Sequence, residues 1–370
     1  MAGATPRRRP TMAQVARAAG VSVMTVSYAY SQPDRVSPEA VVKVREAAGR
    51  VGYPGPHPGA RSLRRGRAGS VGVVLGEHLS YAFDDPQAAR FLAGVADVCA
   101  SHGLGLMLLP ITGGPADVDR VAEAAVDGFV VWTTADDDPV VDAIAATGLP
   151  AVVHGGPRRE GLSFVAIDDR AAARAVAAEA FRTARRPVVL SFPLDRARTP
   201  GIRWGPSPQE ATFRVTRQRL RGMRDAWQDL GGDWSQMQVV ICASNSATEA
   251  EQRAAELLAG PNAPDAVAAM SDELALGVLR AADHLSRRIP GDLTVTGWDD
   301  TSQARPAGLT TIAQSLRDQG AHCARLALDE TPDHPYKPDW TLIRRESTSR
   351  VPGELTVPGR PGAFIPEGPL

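Results

Sequence analysis

Three helix-start signals near the N-terminus limit what this part of the chain can fold into. Thr11, Ser22 and Ser37 each precede a segment with helical spacing of apolar residues, and each hydroxyl can cap the backbone that follows. The first two predicted helices cover residues 12–19 and 23–31, so three residues separate them. A connection this short cannot return the chain as an antiparallel pair, and it predicts a crossed helix-turn-helix.

The charge of the chain is divided unequally along its length, although the net charge is only −1. Residues 1–69 carry twelve Arg and Lys against three Asp and Glu, a net charge of +9, and the remaining residues carry −10. A small basic helical unit suits a polyanion such as double-stranded DNA. The sequence therefore predicts a helix-turn-helix DNA-binding domain over residues 11–56, after a basic disordered arm at 1–10. A three-helix bundle that binds no nucleic acid is the alternative.

In such a unit the second helix enters the major groove, and side chains near its start meet base edges. The cap of the first helix and a basic residue after the second helix are expected at phosphates. The candidate DNA contacts are Thr11, Ser22, Val23, Met24, Thr25, Ser27, Tyr28 and Arg35.

The same residues resemble the DNA-binding head of the lactose repressor (LacI/GalR) family. The resemblance rests on residues 11–22 (TMAQVARAAGVS), 25–27 (TVS), 35–37 (RVS) and 52–53 (GY). It implies a homodimer that reads a near-palindromic operator with one recognition helix per half-site. The chain departs from the family where Arg usually follows Thr-Val-Ser, because Tyr28 cannot form the bidentate fork of Arg. The operator half-site is therefore expected to differ, unless Tyr28 packs internally.

Residues 57–68 are predicted to form a linker that resembles the hinge helix of the family. The run ARSLR at 60–64 is too short to be a stable helix alone, and the resemblance implies that it orders on operator DNA. Leu63 would then wedge between base steps in the minor groove, with Arg61 and Arg64 near phosphates. A flexible Arg-rich linker with an incidental Leu is the alternative.

Beyond residue 69, short apolar runs alternate with amphipathic helical segments, which is typical of parallel α/β layers. Strands are predicted at 71–75, 105–109, 128–132, 151–154, 165–167, 188–191, 239–242, 266–269 and 293–298. Helices are predicted at 87–102, 170–183, 214–230, 247–258 and 272–285. Ligands of such sheets bind beyond the carboxyl ends of the strands, and two facing lobes would form a cleft there.

This alternation also resembles the core of the same family, which is similar to periplasmic sugar-binding proteins. The resemblance rests on residues 270–277, 295–300, 309–312 and 345–348. The expected fold is an all-α head plus a two-lobed, periplasmic-binding-protein-like α/β core with parallel sheets. The resemblance implies a core at 69–350, with lobe 1 at about 69–167 and 314–338, lobe 2 at about 168–312 and 339–350, and a Pro/Gly-rich tail at 351–370.

The resemblance also carries three positions over to an effector cleft. Arg219 would donate to ligand hydroxyls, Asp299 would accept from them, and Ser271 stands where the family commonly has Asn or Asp. Donors and acceptors with an aromatic face suit a sugar or polyol. The other candidate effector contacts are Trp298, Trp132, Glu77, Tyr81 and Phe83. The alternatives are that Asp299 caps a turn, that Arg219 pairs with a carboxylate, and that Trp298 packs in the core.

Several function classes are disfavoured by what the sequence lacks. Cys99, Cys242 and Cys323 are too scattered for a metal site and suit structural thiols in a reducing cytoplasm. No catalytic motif, apolar run of membrane-spanning length or export signal is present, which argues against an enzyme, a membrane partner and a secreted binding protein. No cofactor or metal is expected. The Asp run at 136–138 is predicted to be a solvated loop, and the segment 195–212 to cover the cleft or shape its specificity.

Taken together, the resemblance implies a cytoplasmic, homodimeric DNA-binding regulator, expected to be a repressor, that responds to a small sugar-like effector. A constitutive regulator without a small-molecule effector and a regulator with a nucleoside-type corepressor are the alternatives.

Overall fold

The computed structural model describes residues 10–55, 66–76, 81–330, 336–348 and 357–358. The predicted contacts at Arg61, Leu63, Arg64 and Glu77 and the side chain of Tyr81 lie outside the described residues. The chain divides into two compact units, residues 1–69 and residues 70–370.

The first unit contains the three predicted helices. Their bounds are α1 (Met12–Ala19), α2 (Val23–Ser31) and α3 (Pro38–Val51), with a short 3-10 turn at Pro33–Arg35. Each predicted hydroxyl accepts from the backbone three residues on, and Gly20 ends α1 in the left-handed region at a φ of 66°. A small apolar core holds the helices together and is made of Val15, Ala16, Val26, Ala29, Val44, Ala47 and Ala48. Local capping chemistry therefore produces these helices where the sequence predicts them.

The second unit begins with a five-stranded parallel sheet, which with its helices forms lobe 1. Its strands are β1 (Ser70–Leu75), β2 (Gly105–Pro110), β3 (Gly128–Trp132), β4 (Ala151–His154) and β5 (Ser163–Val165). The strand order is β2-β1-β3-β4-β5. The helices are α4 (Tyr81–Asp84), α5 (Pro86–Ser101), α6 (Ala116–Ala122) and α7 (Pro139–Ala146), joined later in the chain by α12 (Leu316–Ala327). Apolar side chains fill both faces of the sheet.

Lobe 2 is built on a second five-stranded sheet of order β10-β9-β6-β8-β7. Its strands are β6 (Pro187–Ser191), β7 (Gly201–Trp204), β8 (Gln238–Ile241), β9 (Ala266–Ala269) and β10 (Thr294–Thr296). Its helices are α8 (Asp169–Phe181), α9 (Arg214–Asp229), α10 (Ala247–Ala259) and α11 (Asp272–His284). A small antiparallel sheet joins β11 (Thr311–Ala313), β12 (Thr341–Ile343) and β13 (Val357–Pro358).

Two parts of the strand prediction were wrong. The fifth strand covers Ser163–Val165, not 165–167, because the apolar Ile167 at the end of the predicted run packs in the core of lobe 2. The segment 195–212 contributes an edge strand, β7, that pairs antiparallel with β8. The sequence did not predict this strand, because Pro and Gly residues surround it and its side chains are mostly exposed, so no apolar run marks it.

Helices α5 and α12 of lobe 1 approach each other at the level of their backbones. A Cβ at Gly94 would collide with the carbonyl oxygen of Arg317, and a Cβ at Gly320 with that of Phe91. Lobe 1 is thus completed by a helix that follows the sheet of lobe 2 in the sequence. Over the described ranges, no helix combines the length and the apolarity that crossing a membrane requires.

Candidate functional site

The start of α2 carries two exposed apolar side chains. The side chains of Val23 and Met24 are 49% and 61% exposed, whereas Val26 and Ala29 on the opposite face are buried. Exposure of two apolar side chains to water does not stabilise the fold, but these side chains can pack against the methyl group of thymine in a major groove. The helix therefore has an outward face suited to base contact.

The other predicted DNA contacts differ in their surroundings. The Ser22 and Thr25 hydroxyls lie 2.8 Å apart and bond to each other at the helix start. Ser27 is buried, so its hydroxyl is not on the outward face. Tyr28 is half-buried, and the guanidinium carbon of Arg35 lies 6.0 Å from the centre of its ring. Thr11 is exposed at the start of α1, where its hydroxyl caps the helix.

A cavity lies between the two lobes, beyond the carboxyl ends of their strands. We call it the first cavity; its volume is about 170 Å³. Of the predicted effector contacts, Arg219, Asp299 and Trp132 line it. Trp298, Ser271 and Phe83 do not line it, and Phe83 is 71% exposed on α4.

Arg219 is buried and held from several sides. Its Nε donates to Asp169 Oδ1 at 3.3 Å, and its Nη1 donates to the carbonyl of Met270. Its guanidinium carbon lies 3.8 Å from the centre of the Trp298 ring, which is fully buried. Arg219 thus pairs with a carboxylate, as the alternative prediction had it, and it also lines the cavity. Trp298 supports the guanidinium from behind, a cation–π contact that fixes its plane.

Asp299 faces the same cavity from the loop after β10. Its Oδ1 accepts from Nε2 of Gln314 at 2.8 Å, and its carbonyl accepts from Nε2 of Gln87 at 3.5 Å. Burial raises the pKa of Asp299 to about 7, although the nearby Arg219 guanidinium acts in the opposite direction. A buried carboxyl with oxygen sites still open to the cavity is an acceptor for ligand hydroxyl groups.

An aromatic wall on lobe 1 faces the charged residues. The rings of Trp132 and His154 are stacked with their centres 5.1 Å apart, and Phe91 packs edge-on against Trp132. His154 Nε2 lies 2.9 Å from Oε1 of Gln319, and burial lowers the pKa of His154 to about 4. The imidazole is therefore neutral at physiological pH. The aromatic wall that it forms with Trp132 can pack against the C–H face of a sugar ring.

A polar bridge crosses the cleft between the lobes. Asp85, in lobe 1, accepts from the backbone of α5 with one oxygen and from Nδ2 of Asn245, in lobe 2, with the other at 2.6 Å. Ser271 Oγ donates to Oδ1 of the same Asn245 at 2.6 Å and caps α11. Ser271 therefore reaches the cleft through Asn245 and not by itself.

Sequence reasoning missed several residues that line the first cavity. They are Asp85, Gln87, His154, Asp169, Asn245, Gln314 and Gln319. Their position in the sequence could have indicated them, since each lies close to the carboxyl end of a strand or the start of a helix. Their polar chemistry alone does not separate them from ordinary helix caps.

The prediction of a solvated Asp run at 136–138 holds for the exposed Asp137 but was wrong for Asp136 and Asp138, which pair with arginines. Asp136 pairs with Arg217, and the buried Asp138 pairs with Arg196, whose Nη2 lies 2.9 Å from Oδ2. An antiparallel backbone bridge joins Ala135 to Phe213 beside them. Asp136 and Asp138 therefore join lobe 1 to α9 and to the segment of lobe 2 that precedes it.

Comparisons with known proteins agree with this geometry. Residues 11–55 match the family described as "Bacterial regulatory proteins, lacI family", and residues 202–348 match the "Periplasmic binding protein-like domain". The HTH-type transcriptional regulator IpsA of Corynebacterium glutamicum is 36% identical over 357 residues, which cover 94% of this chain and 98% of that protein. The chain belongs to the LacI family. It is a DNA-binding transcriptional regulator with a periplasmic-binding-protein-like core.

Solved structures of LacI-family proteins match the fold over most of the chain. The "transcriptional regulator CelR-cellobiose complex" is 26% identical, with a TM-score of 0.61, over 92% of this chain and 100% of that chain. A lac repressor dimer bound to operator and an anti-inducer is 22% identical, with a TM-score of 0.67, over 92% of this chain and 99% of that chain. At 22% identity, the second likeness concerns the fold alone.

Proposed function

We propose that this LacI-family chain is a repressor that binds a near-palindromic operator as a homodimer and is controlled by a sugar or polyol in the first cavity. The observation that carries the effector half of the proposal is the cavity itself. It combines the Arg219 guanidinium, the Asp299 carboxyl and the aromatic wall at Trp132 within one volume of about 170 Å³. Such a set supplies donors, acceptors and an apolar face together.

The operator half of the proposal is supported by the exposed start of α2 and the basic charge of residues 1–69. The related lac repressor is a dimer bound to operator, and a related regulator binds cellobiose. We assign the DNA-binding domain to residues 11–56, the hinge to 57–68 and the effector-binding core to 69–350. In this proposal, Leu63 of the hinge wedges into the minor groove.

Control of DNA binding requires that the effector favour one arrangement of the lobes. Some of the contacts that join the lobes are made by residues around the cavity, such as Asp85 with Asn245 and Gln87 with the carbonyl of Asp299. A ligand that bonds these side chains changes the free energy of the closed arrangement. The lobe angle would then change how two hinges are held in the dimer, and with it the affinity for operator.

Selection of bound sequences from random duplex DNA is expected to return a near-palindrome at physiological salt. The Val23→Ala variant should lose preference at one position of each half-site, by about 1–3 kcal/mol per base pair, with nonspecific affinity kept. Val42→Ala is the matched control, because Val42 is exposed to a similar degree but lies on α3. Failure to enrich any sequence, or equal effects of the two variants, would contradict the proposed reading surface.

Thermal unfolding of the full chain with a panel of sugars and polyols is expected to reveal a stabilising ligand. At pH 8, where Asp299 is ionised, Asp299→Asn should weaken that ligand about tenfold or more, because a carboxylate acceptor becomes an amide with one acceptor oxygen. Asp300→Asn is the control, since Asp300 pairs with Arg345 and does not line the cavity. A shift with nucleosides only would favour the corepressor alternative, and equal effects of both variants would remove Asp299 from the site.

A further inference from the structure

Helix α2 lacks the side chains that identify a base by paired hydrogen bonds. The helix and its cap, residues 22–31, contain only apolar, aromatic and hydroxyl side chains. Arg, Lys, Asn and Gln, which bond two atoms of one purine, and the acidic residues, which accept from cytosine, are absent from this segment. Discrimination between bases by this helix must therefore come from another kind of contact.

The serine and threonine hydroxyls of this segment offer little that could identify a base. Ser22 Oγ lies 2.8 Å from Oγ1 of Thr25 and also accepts from the backbone N–H of Thr25 at 3.0 Å. Ser31 Oγ donates to the carbonyl of Ser27 at 2.8 Å, and Ser27 is buried. One hydroxyl proton of the pair Ser22 and Thr25 remains to be donated. A single donor cannot identify a base, because guanine, adenine and thymine all present acceptors in the major groove.

The two tyrosines of α2 add no paired hydrogen bond. Tyr28 is half-buried with the guanidinium carbon of Arg35 6.0 Å from its ring centre, and its one hydroxyl makes single bonds that several bases can satisfy. Tyr30 packs on the apolar core of the N-terminal unit, edge-on to the ring of Tyr53. The tyrosines therefore do not replace the missing fork.

The exposed side chains of Val23 and Met24 are the remaining candidates for base discrimination. They are consecutive, so they leave the helix about 100° apart and can reach different base pairs. The C5-methyl of thymine is the apolar group that a base pair presents in the major groove. Packing the same side chains on the amino group of cytosine or the oxygen of guanine would remove water from a polar group without replacing its hydrogen bond. Apolar contact at these two residues therefore favours thymine.

We propose that Val23 and Met24 each specify a thymine in every operator half-site by contact with its C5-methyl group, in place of hydrogen bonds to a base. This inference rests on the proposed operator-binding surface and names the group of the DNA that this surface reads. It also implies that 5-methylcytosine, which presents the same methyl group in the groove, is a better substitute for these thymines than cytosine is.

The methyl group can be removed without a change of base pairing. In the near-palindrome returned by the selection described above, each thymine is replaced in turn by uracil, in both half-sites at once. Burial of one methyl group strengthens binding about fourfold, so we expect two positions at which this symmetric replacement weakens binding of the full chain about 15-fold. Fluorescence anisotropy at fixed physiological salt measures the affinities. Minor-groove contacts keep their partners, because the methyl group lies in the major groove.

Two variants assign each methyl group to a side chain. Val23→Ala should make binding largely insensitive to uracil at one of the two positions and keep the sensitivity at the other, and Met24→Ala should do the reverse. Both side chains are exposed and Ala favours a helix, so α2 is expected to remain folded. Val42→Ala on α3 is the control and should keep both sensitivities. An effect of uracil on DNA shape would persist in both variants at α2, and that result would overturn the inference.

The outcomes distinguish this inference from the proposed function. Selection of a near-palindrome in which no uracil replacement weakens binding would overturn the thymine contacts and leave operator binding intact. Failure to enrich any sequence would overturn both. At the positions assigned to Val23 and Met24, symmetric 5-methylcytosine–guanine pairs should bind about 15-fold more tightly than cytosine–guanine pairs. Equal binding of the methylated and unmethylated duplexes would likewise overturn the inference.

Discussion

Replacing Arg219 by methionine is expected to lower the free energy of unfolding of the core by about 3 kcal/mol and to abolish the response to effector. Asp169 is buried, and its main partner is the Arg219 guanidinium at 3.3 Å. Without that partner the carboxylate is an uncompensated buried charge, and Arg214, 3.7 Å away, compensates only in part. The expected loss is therefore at the lower end of the range for a broken buried pair. Urea unfolding followed by tryptophan fluorescence measures it.

A double variant separates the charge effect from simple loss of packing. Asp169→Asn removes the buried charge with little change of shape, so Arg219→Met with Asp169→Asn should recover most of the stability that Arg219→Met loses. Asp168→Asn is the control, because Asp168 is exposed and caps α8, a role that Asn fills equally well. If Arg219→Met cost less than about 1 kcal/mol, the Arg219–Asp169 pair would not stabilise the core as stated here.

The core is expected to become less stable as the pH rises from 5 to 8, and Asp299 should account for about 2–3 kcal/mol of that change. Burial raises the pKa of the folded Asp299 to about 7, whereas the unfolded carboxyl titrates near 3.8. Between these values the unfolded chain has released a proton that the folded chain still holds, so stability is lost as the pH rises through this window. Asp272, with a pKa raised to about 6, acts in the same direction.

The Asp299→Asn variant isolates this contribution. Arg219 lowers the pKa of Asp299, while Asp272 and Asp85 raise it, and these groups are unchanged in the variant. Asn keeps the acceptor for Gln314 and tolerates the backbone φ of 105° at this position. Its unfolding free energy should depend less on pH than that of the natural chain, by the amount stated above. Parallel pH profiles of the two proteins would contradict the assignment.

The head of the protein could be predicted almost residue by residue, because its determinants are local. Thr11, Ser22 and Ser37 each cap the helix that follows within three residues. The core strands were predicted from runs of apolar residues. That prediction fails where a buried apolar residue is not part of a strand. Ile167 is buried, but it belongs to the core of lobe 2, so the strand predicted around it was displaced.

The site could be predicted only where a resemblance supplied the positions. Arg219 and Asp299 came from the family pattern, whereas the bridge between Asp85 and Asn245 joins residues 160 positions apart and leaves no local trace. Asp136 and Asp138 of the Asp run were wrongly predicted to be solvated for the same reason. Their partners Arg196 and Arg217 lie far along the chain, and a run of carboxylates looks solvated until those partners are known.

The backbone contact between α5 and α12 has a consequence for synthesis on the ribosome. Phe91 and Val95 of α5 are buried together with Cys323 and Ala324 of α12, which is translated only after the whole sheet of lobe 2. The nascent chain therefore carries an uncovered apolar surface on its first α/β lobe throughout most of translation. Such a surface makes the unfinished chain prone to aggregation, so chaperone protection would matter most before the ribosome releases residues 316–327.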